Sequence, residues 1–174
     1  MRKTLSLFIT ILSFHSLLAQ SEVKRLPKHK LTQDYTVFMN GALSSCKMLQ
    51  KINPKDIKNL EIITYKFTDP HHVYISDLAK NGLLKVKLKN TFKTISQSQL
   101  NKKFDLPENN EVYFDGYLIY NKDDKICKDA IVEIELVNPN AVNLLSHSVI
   151  NIHTMDKQER HLPVIKGCSM RKVK

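Results

Sequence analysis

Pro54-Lys55-Asp56-Ile57-Lys58-Asn59-Leu60-Glu61-Ile62-Ile63 is the stretch whose reading decides the fold. Asn53 is a good helix cap and Pro54 suits a first helical position, so one helical turn is expected there. The Ile-, Thr-, Tyr- and Phe-rich run from Leu60 to Phe67 then reads as a strand. The stretch has an echo. Ile57, Leu60, Glu61, Ile62 and Ile63 match Ile131, Ile134, Glu135, Leu136 and Val137 at a constant offset of 74. Upstream, Val37-Phe38-Met39-Asn40-Gly41 matches Val112-Tyr113-Phe114-Asp115-Gly116 at 75. Downstream, Gly82 to Leu88 matches Ser148 to Thr154 at 66. A repeated pattern sets the architecture before any local reading does.

Local signals fill in each copy. Tyr35 to Met39 is β-prone and ends at the turn dipeptide Asn40-Gly41. Leu43, Cys46, Leu49 and Ile52 recur at threefold spacing, which predicts a short amphipathic helix starting near Ser44 or Ser45. Val73 to Ala79 is expected to be helical, closed by Asn81-Gly82. Leu84, Val86 and Leu88 alternate with Lys85, Lys87 and Lys89, so a strand with one lysine face follows, as an edge strand would carry. In the connector, Ser96 to Phe104 is expected to be helical, with Ile95, Leu100 and Phe104 inward. Tyr117 to Tyr120 is more β-prone than helical, so Asp115-Gly116 reads as a hairpin turn in place of the helix lead-in of the first copy. Asp129 to Val137 and Val149 to His153 read as strands, with one helical turn over Ala141 to Leu145. The expected class is α+β, with short helices packed on small mixed sheets.

The organisation that follows is a leader over 1–20, an extended lead-in over 21–34, a first module over 35–89, a connector over 90–110, a second module over 111–154, and a loose basic tail over 155–174. Arg2 and Lys3 precede an apolar run from Leu5 to Leu18, and Ala19-Gln20 supplies a cleavage point, which is a secretory signal. That run is shorter than the ~20 residues of a spanning helix. No transmembrane helix is expected in the mature chain. The formal net charge is +10, about +8 without Arg2 and Lys3. Seven lysines and no acid lie between Lys80 and Lys103, and Lys166, Arg171, Lys172 and Lys174 crowd the tail. Such runs suit a solvated face, anionic lipid, polysaccharide or an acidic partner. Export and the lack of aromatics among the tail lysines argue against nucleic acid.

Cys46, Cys127 and Cys168 are an odd set, so one at least is free or pairs between chains. Cys46 is expected on a buried helix face, and Cys127 and Cys168 read equally as thiols or bridged residues.

Chemistry-bearing patterns are sparse. His71-His72 after Asp69-Pro70 lacks a second ligand cluster, and HExxH, the phosphate loop, Gly-x-Gly-x-x-Gly and Gly-x-Ser-x-Gly are absent. Ser-x-x-Lys at Ser21 and Ser44 lacks the partner motifs of a penicillin-binding site. His147, His153 and His161 fall at unhelpful intervals, and Asp123-Asp124 reads as a turn. No catalytic, metal or cofactor-binding residue is expected. Glu61 and Glu135 are expected to have structural roles.

The first copy resembles the plug domain of TonB-dependent outer-membrane receptors, in the form common in Bacteroidetes-like bacteria. The family's strand ending in Asp-Gly or Asn-Gly corresponds to Asn40-Gly41. Its Pro-x-Asp-Ile-x-x-Ile-Glu-Val string corresponds to Pro54 through Ile62, and its Tyr-Gly and Asn-Gly-Val-Ile stretch to Tyr74 and Asn81 through Leu84. The glycine after the Tyr is missing, since Ile75 follows Tyr74. The resemblance extends weakly over 111–154, and no aromatic-rich run of alternating strands follows. It implies a free-standing plug-like module without the barrel, exported to the periplasm or outer membrane, non-catalytic, with an envelope or outer-membrane protein as partner. The alternative is a secreted basic adhesion-like protein that binds acidic lipid or polysaccharide.

Overall fold

Two tight hairpins set the frame. Asn40 and Gly41 hold φ of 46° and 81°, and Asp115 and Gly116 hold 48° and 86°. Two successive left-handed residues are what a two-residue hairpin loop needs, and Asn-Gly and Asp-Gly adopt them at low cost. The computed structural model describes Leu26, residues 35–63, Leu78 and residues 82–161.

The fold is α+β, with two small mixed sheets and a few short helices. The first hairpin joins β1 (Thr36–Met39) to β2 (Ala42–Ser44). Helix α1 (Cys46–Gln50) follows, capped by Ser45, whose hydroxyl accepts from the Met48 N–H. The 3-10 turn Pro54–Asp56, capped by Asn53, feeds β3 (Ile57–Ile63), and β4 (Leu83–Leu88) ends the first module. Then come β5 (Thr94–Ile95) and α2 (Gln97–Lys103), the latter opened by a Ser96/Gln99 capping box. The second module runs β6 (Val112–Phe114), β7 (Tyr117–Leu118), β8 (Lys125–Cys127), the 3-10 turn Lys128–Ala130, β9 (Glu133–Val137) and β10 (Val149–His153). Helix α3 (Lys157–His161) closes the described chain.

Strand pairing repeats with the sequence. The larger sheet has the order β3-β4-β1-β2-β8-β5, and the smaller β7-β6-β10-β9. In each module a parallel pair is flanked by an antiparallel hairpin partner and an antiparallel edge. Val37 opposite Leu84 becomes Val112 opposite Ile150, and Leu60 opposite Val86 becomes Ile134 opposite Ile152. The sequence offsets of 75, 74 and 66 carry one register onto the other. A one-residue slip would move every inward side chain to the wrong face, so this agreement is a strict test of the alignment.

Two apolar layers hold the sheets. Val37, Met39, Leu84 and Val86 pack with Cys46 and Leu49 of α1, and with Cys127 and Ala130. Between the sheets, Leu43, Ile95, Leu100 and Ile126 meet Val112, Phe114, Ile150 and Ile152. Losing one such side chain to alanine costs roughly 2–5 kcal/mol. No helix among the described residues is long and apolar enough to cross a membrane.

The structure departs from the sequence expectations at several places. Leu43 lies on β2, and the helix starts three residues later, because the turn at Asn40-Gly41 closes a hairpin in both copies alike. β4 is an interior strand between β3 and β1, although Lys85 and Lys87 still face solvent. The segment around Asp129 opens with a 3-10 turn, so β9 begins only at Glu133. Ala141 to Asn143 form a turn. The connector is built into the fold: β5 pairs with β8, which pairs with β2, so a strand from 111–154 completes the sheet of the first module. The expected loose tail begins with α3, where Asp156 and Glu159 exchange side-chain bonds with each other's N–H. The leader, most of the lead-in, all but Leu78 of the helix expected over 73–79, the strand beyond Ile63 and the last 13 residues lie outside the described residues.

Gly82 and Gly41 predict a measurable contrast. A Cβ on Gly82 (φ 108°) would sit 2.7 Å from Tyr35 Cε1 and 3.3 Å from the Ile63 carbonyl, whereas one on Gly41 (φ 81°) meets open space. Gly82→Ala should cost about 1–3 kcal/mol in urea denaturation, and more than Gly41→Ala. Equal costs would show that the Tyr35 contact does not constrain this position.

Candidate functional site

The outer face of the smaller sheet gathers the polar chemistry of the described chain. Register puts Tyr113, Asn151 and Glu135 in one row and His153 opposite Glu133 in the next. The corresponding positions of the first module are Phe38, Lys85 and Glu61, with Lys87 for His153. Lys85 and Lys87 are exposed, but Asn151 and His153 are buried. The second module therefore covers a face that the first leaves open.

Burial forces these groups to satisfy one another. His153 Nε2 lies 2.8 Å from Glu135 Oε2 and 3.2 Å from Asn151 Nδ2. Asn151 Nδ2 donates to the same Glu135 oxygen at 3.3 Å, and Asn151 Oδ1 accepts from the Gly116 N–H at 3.0 Å. Asp115 accepts from the Thr154 N–H at 2.8 Å and from the Thr154 hydroxyl at 2.6 Å. Burial raises the Asp115 carboxyl above its ordinary value, against the opposing pull of Thr154, His153 and Arg160.

Helix α3 completes the rim. Arg160 donates to Glu133 Oε2 at 2.6 Å, and Lys157 lies 3.4 Å from Oε1. Desolvation pushes the Glu133 carboxyl up, but Arg160 and Lys157 outweigh it and hold the group below its ordinary value. Glu159 accepts from Lys47 of α1 at 2.6 and 2.8 Å. The helix thus bridges the first module and β9.

The geometry suits holding a carboxylate more than moving a proton. A general base must reach the proton that it takes. His153 is only 2% exposed and its Nε2 is engaged, whereas the Glu135 side chain is 48% exposed. The histidine and asparagine orient Glu135 toward the surface. Among the described residues no group of three His, Cys, Asp or Glu side chains converges as a metal set.

Of the residues weighed from sequence, Glu135 joins this cluster, and Glu61 stands opposite Lys85 on the open face of the first module. His147 sits on an exposed loop, where its Nδ1 contacts the Ser146 hydroxyl. His71 and His72 lie outside the described residues. The Asp123-Asp124 turn forms as expected, with Asn121 accepting from the Asp123 N–H. Sequence reasoning missed Asp115, Asn151 and Thr154, and weighed His153 only as a metal ligand at an unhelpful interval. One signal was present: at the offset of 66, two exposed lysines are replaced by Asn and His, which marks a covered face. Cys46 is buried on α1 as expected and is disulfide-bonded, with its partner outside the described residues. Cys127 is a free, buried thiol raised by desolvation. No family model matches the chain, and no curated protein or solved structure matches it.

Two predictions follow from this chemistry. A raised Asp115 pKa favours the neutral form in the fold. Its contribution to stability is therefore greatest below the ordinary carboxylate pKa and is lost as pH rises through the folded value. Asp115→Asn, which copies the residue of the first module, should remove that part of the pH dependence in urea titrations from acid to neutral pH. Asp115→Ala should lose about 1–3 kcal/mol by leaving the buried Thr154 donors unmet. A wild-type stability that instead rises over the same range, relative to Asp115→Asn, would reverse the assignment. Second, without reductant Cys127 should react with iodoacetamide only after unfolding, whereas Cys46 should need reduction first. Mass spectrometry of the labelled peptides checks both.

Proposed function

We propose that the chain is an exported, non-catalytic interaction module of the bacterial cell envelope, similar to a TonB-dependent receptor plug without its barrel. The observation that carries the reading is a pair of equivalent sheet edges. Among the described residues, β3 ends the larger sheet and β9 ends the smaller. The edge positions Ile62 and Leu136, related by the offset of 74, are 56% and 43% exposed. Val132 is also exposed just before β9. A sheet edge with exposed aliphatic side chains at its margin suits addition of a partner strand, with main-chain bonds for affinity and side chains for selectivity. The module's partner would be an envelope or outer-membrane protein. The resemblance in Asn40-Gly41, Pro54 through Ile62 and Asn81 through Leu84 supports the plug-like part of the reading.

A second reading rests on β4. Its Lys85 and Lys87 face solvent side by side from an interior strand, which suits binding to acidic lipid or polysaccharide. Such binding would fade as salt rises and would be lost in Lys85→Glu/Lys87→Glu.

Crosslinking in periplasmic and outer-membrane fractions separates the two. The interaction module should capture a barrel receptor or transport component through β3 or β9, and Ile62→Asp or Leu136→Asp should reduce that capture while leaving the fold intact. A chain that stays monomeric, captures no such protein and binds anionic vesicles in a salt-dependent way would replace the first reading with the second.

A further inference from the structure

The outer face of the smaller sheet has an apolar middle flanked by carboxylates. Tyr113, Leu118 and Val149 form the middle. Glu111, which accepts from the Tyr113 hydroxyl at 3.3 Å, lies beside it. Glu135 lies across Asn151 from Tyr113, with Glu133 beyond. Leu26, far upstream in sequence, is seated on the apolar middle and is 4% exposed. Its N–H donates to the Gly116 carbonyl at 2.9 Å. Gly116 in turn donates to Asn151, and Asn151 to Glu135, so three bonds in series join Leu26 to that carboxylate.

The sequence around this anchor is Val23-Lys24-Arg25-Leu26-Pro27-Lys28. A residue before proline is pushed toward extended backbone. In an extended segment, positions two residues either side share a face, about 6.6 Å away each. Lys24 and Lys28 then flank Leu26 as Glu111 and Glu135 flank the apolar middle. No acid lies between Val23 and Gln33 to oppose that match.

We propose that residues 21–34 dock in cis on this face as an extended basic segment, with Leu26 as the apolar anchor and Lys24 and Lys28 meeting Glu111 and Glu135. The face is a groove for basic-apolar extended segments, and the chain supplies its own occupant. Eight residues separate Leu26 from Tyr35, where the first module begins. A tether this short gives an effective concentration in the millimolar range, enough to exclude competing segments of modest affinity. The docking goes beyond the envelope reading and does not depend on it.

The test uses the full chain and a fluorescent synthetic peptide of residues 21–34. Wild-type chain should bind the peptide poorly, because its groove is filled. Leu26→Asp should bind it at least about tenfold more tightly, less so as salt rises, and β6 and β10 amides should exchange faster. Lys24→Glu/Lys28→Glu leaves the groove itself unaltered, should show the same gain, and serves if Leu26→Asp fails to fold. A peptide carrying the two glutamates should bind neither variant. Failure of both variants to bind the wild-type peptide, or equal binding of the charge-reversed peptide, would overturn the proposal. No envelope component enters this experiment, so its failure leaves the interaction-module reading untouched, and the reverse also holds.

Discussion

In each module the side chain that opens the hairpin turn reaches across to the end of the parallel strand. Asn40 Oδ1 accepts from the Leu88 N–H at 2.8 Å, and Asp115 Oδ1 accepts from the Thr154 N–H at 2.8 Å. Backbone bonds reinforce each clamp, from Asn40 N–H to the Val86 carbonyl and from Asp115 N–H to the Ile152 carbonyl. The left-handed backbone of the turn aims the side chain, and the bond then fixes where β1 meets β4 and β6 meets β10. Parallel strands are joined by long crossovers that do not set register by themselves. The turn clamp supplies that information locally, and the inward faces of both modules depend on it.

The modules then diverge on their outer faces. The first keeps Lys85 opposite Glu61, a cross-strand pair of opposite charge that water can reach. The second replaces the lysines by Asn151 and His153, groups that are less costly to bury when hydrogen-bonded. Leu26 on one side and α3 on the other occupy that face. The repeated strand pairing therefore does not give two copies of one surface. One module offers an open charged face, and the other carries a covered polar core that orients Glu135.

Legibility followed the range of the interactions. The capped turn at Asn53-Pro54, the alternation of Leu84 to Leu88 and the helix beginning at Ser96 rest on neighbours within a few residues, and the repeat is a recurrence of such local patterns, so the sequence displays them. Leu43 was read as helical because its threefold spacing to Cys46 and Leu49 is real, yet the hairpin clamp claims it for β2. Asp115 and His153 looked unremarkable because their partners, Thr154 and Glu135, lie 39 and 18 residues away. α3 escaped notice because its ends are held by Lys47 and Glu133, neither of which is near it in sequence.

The sequence alone determined the α+β class and the register relation between the modules, because a period-two apolar pattern at constant offsets leaves one consistent set of inward faces. Tertiary structure alone decided how the modules join. β8 adds to β2 and not to a strand of its own module, since Ile126 finds its apolar environment beside Leu43 and Ile95. It also decided which histidine is buried and which carboxylate is held at the surface. Burial is a property of what comes to lie on top of a strand, and the strand's own residues record it only indirectly, as Asn151 and His153 do where the first module has Lys85 and Lys87.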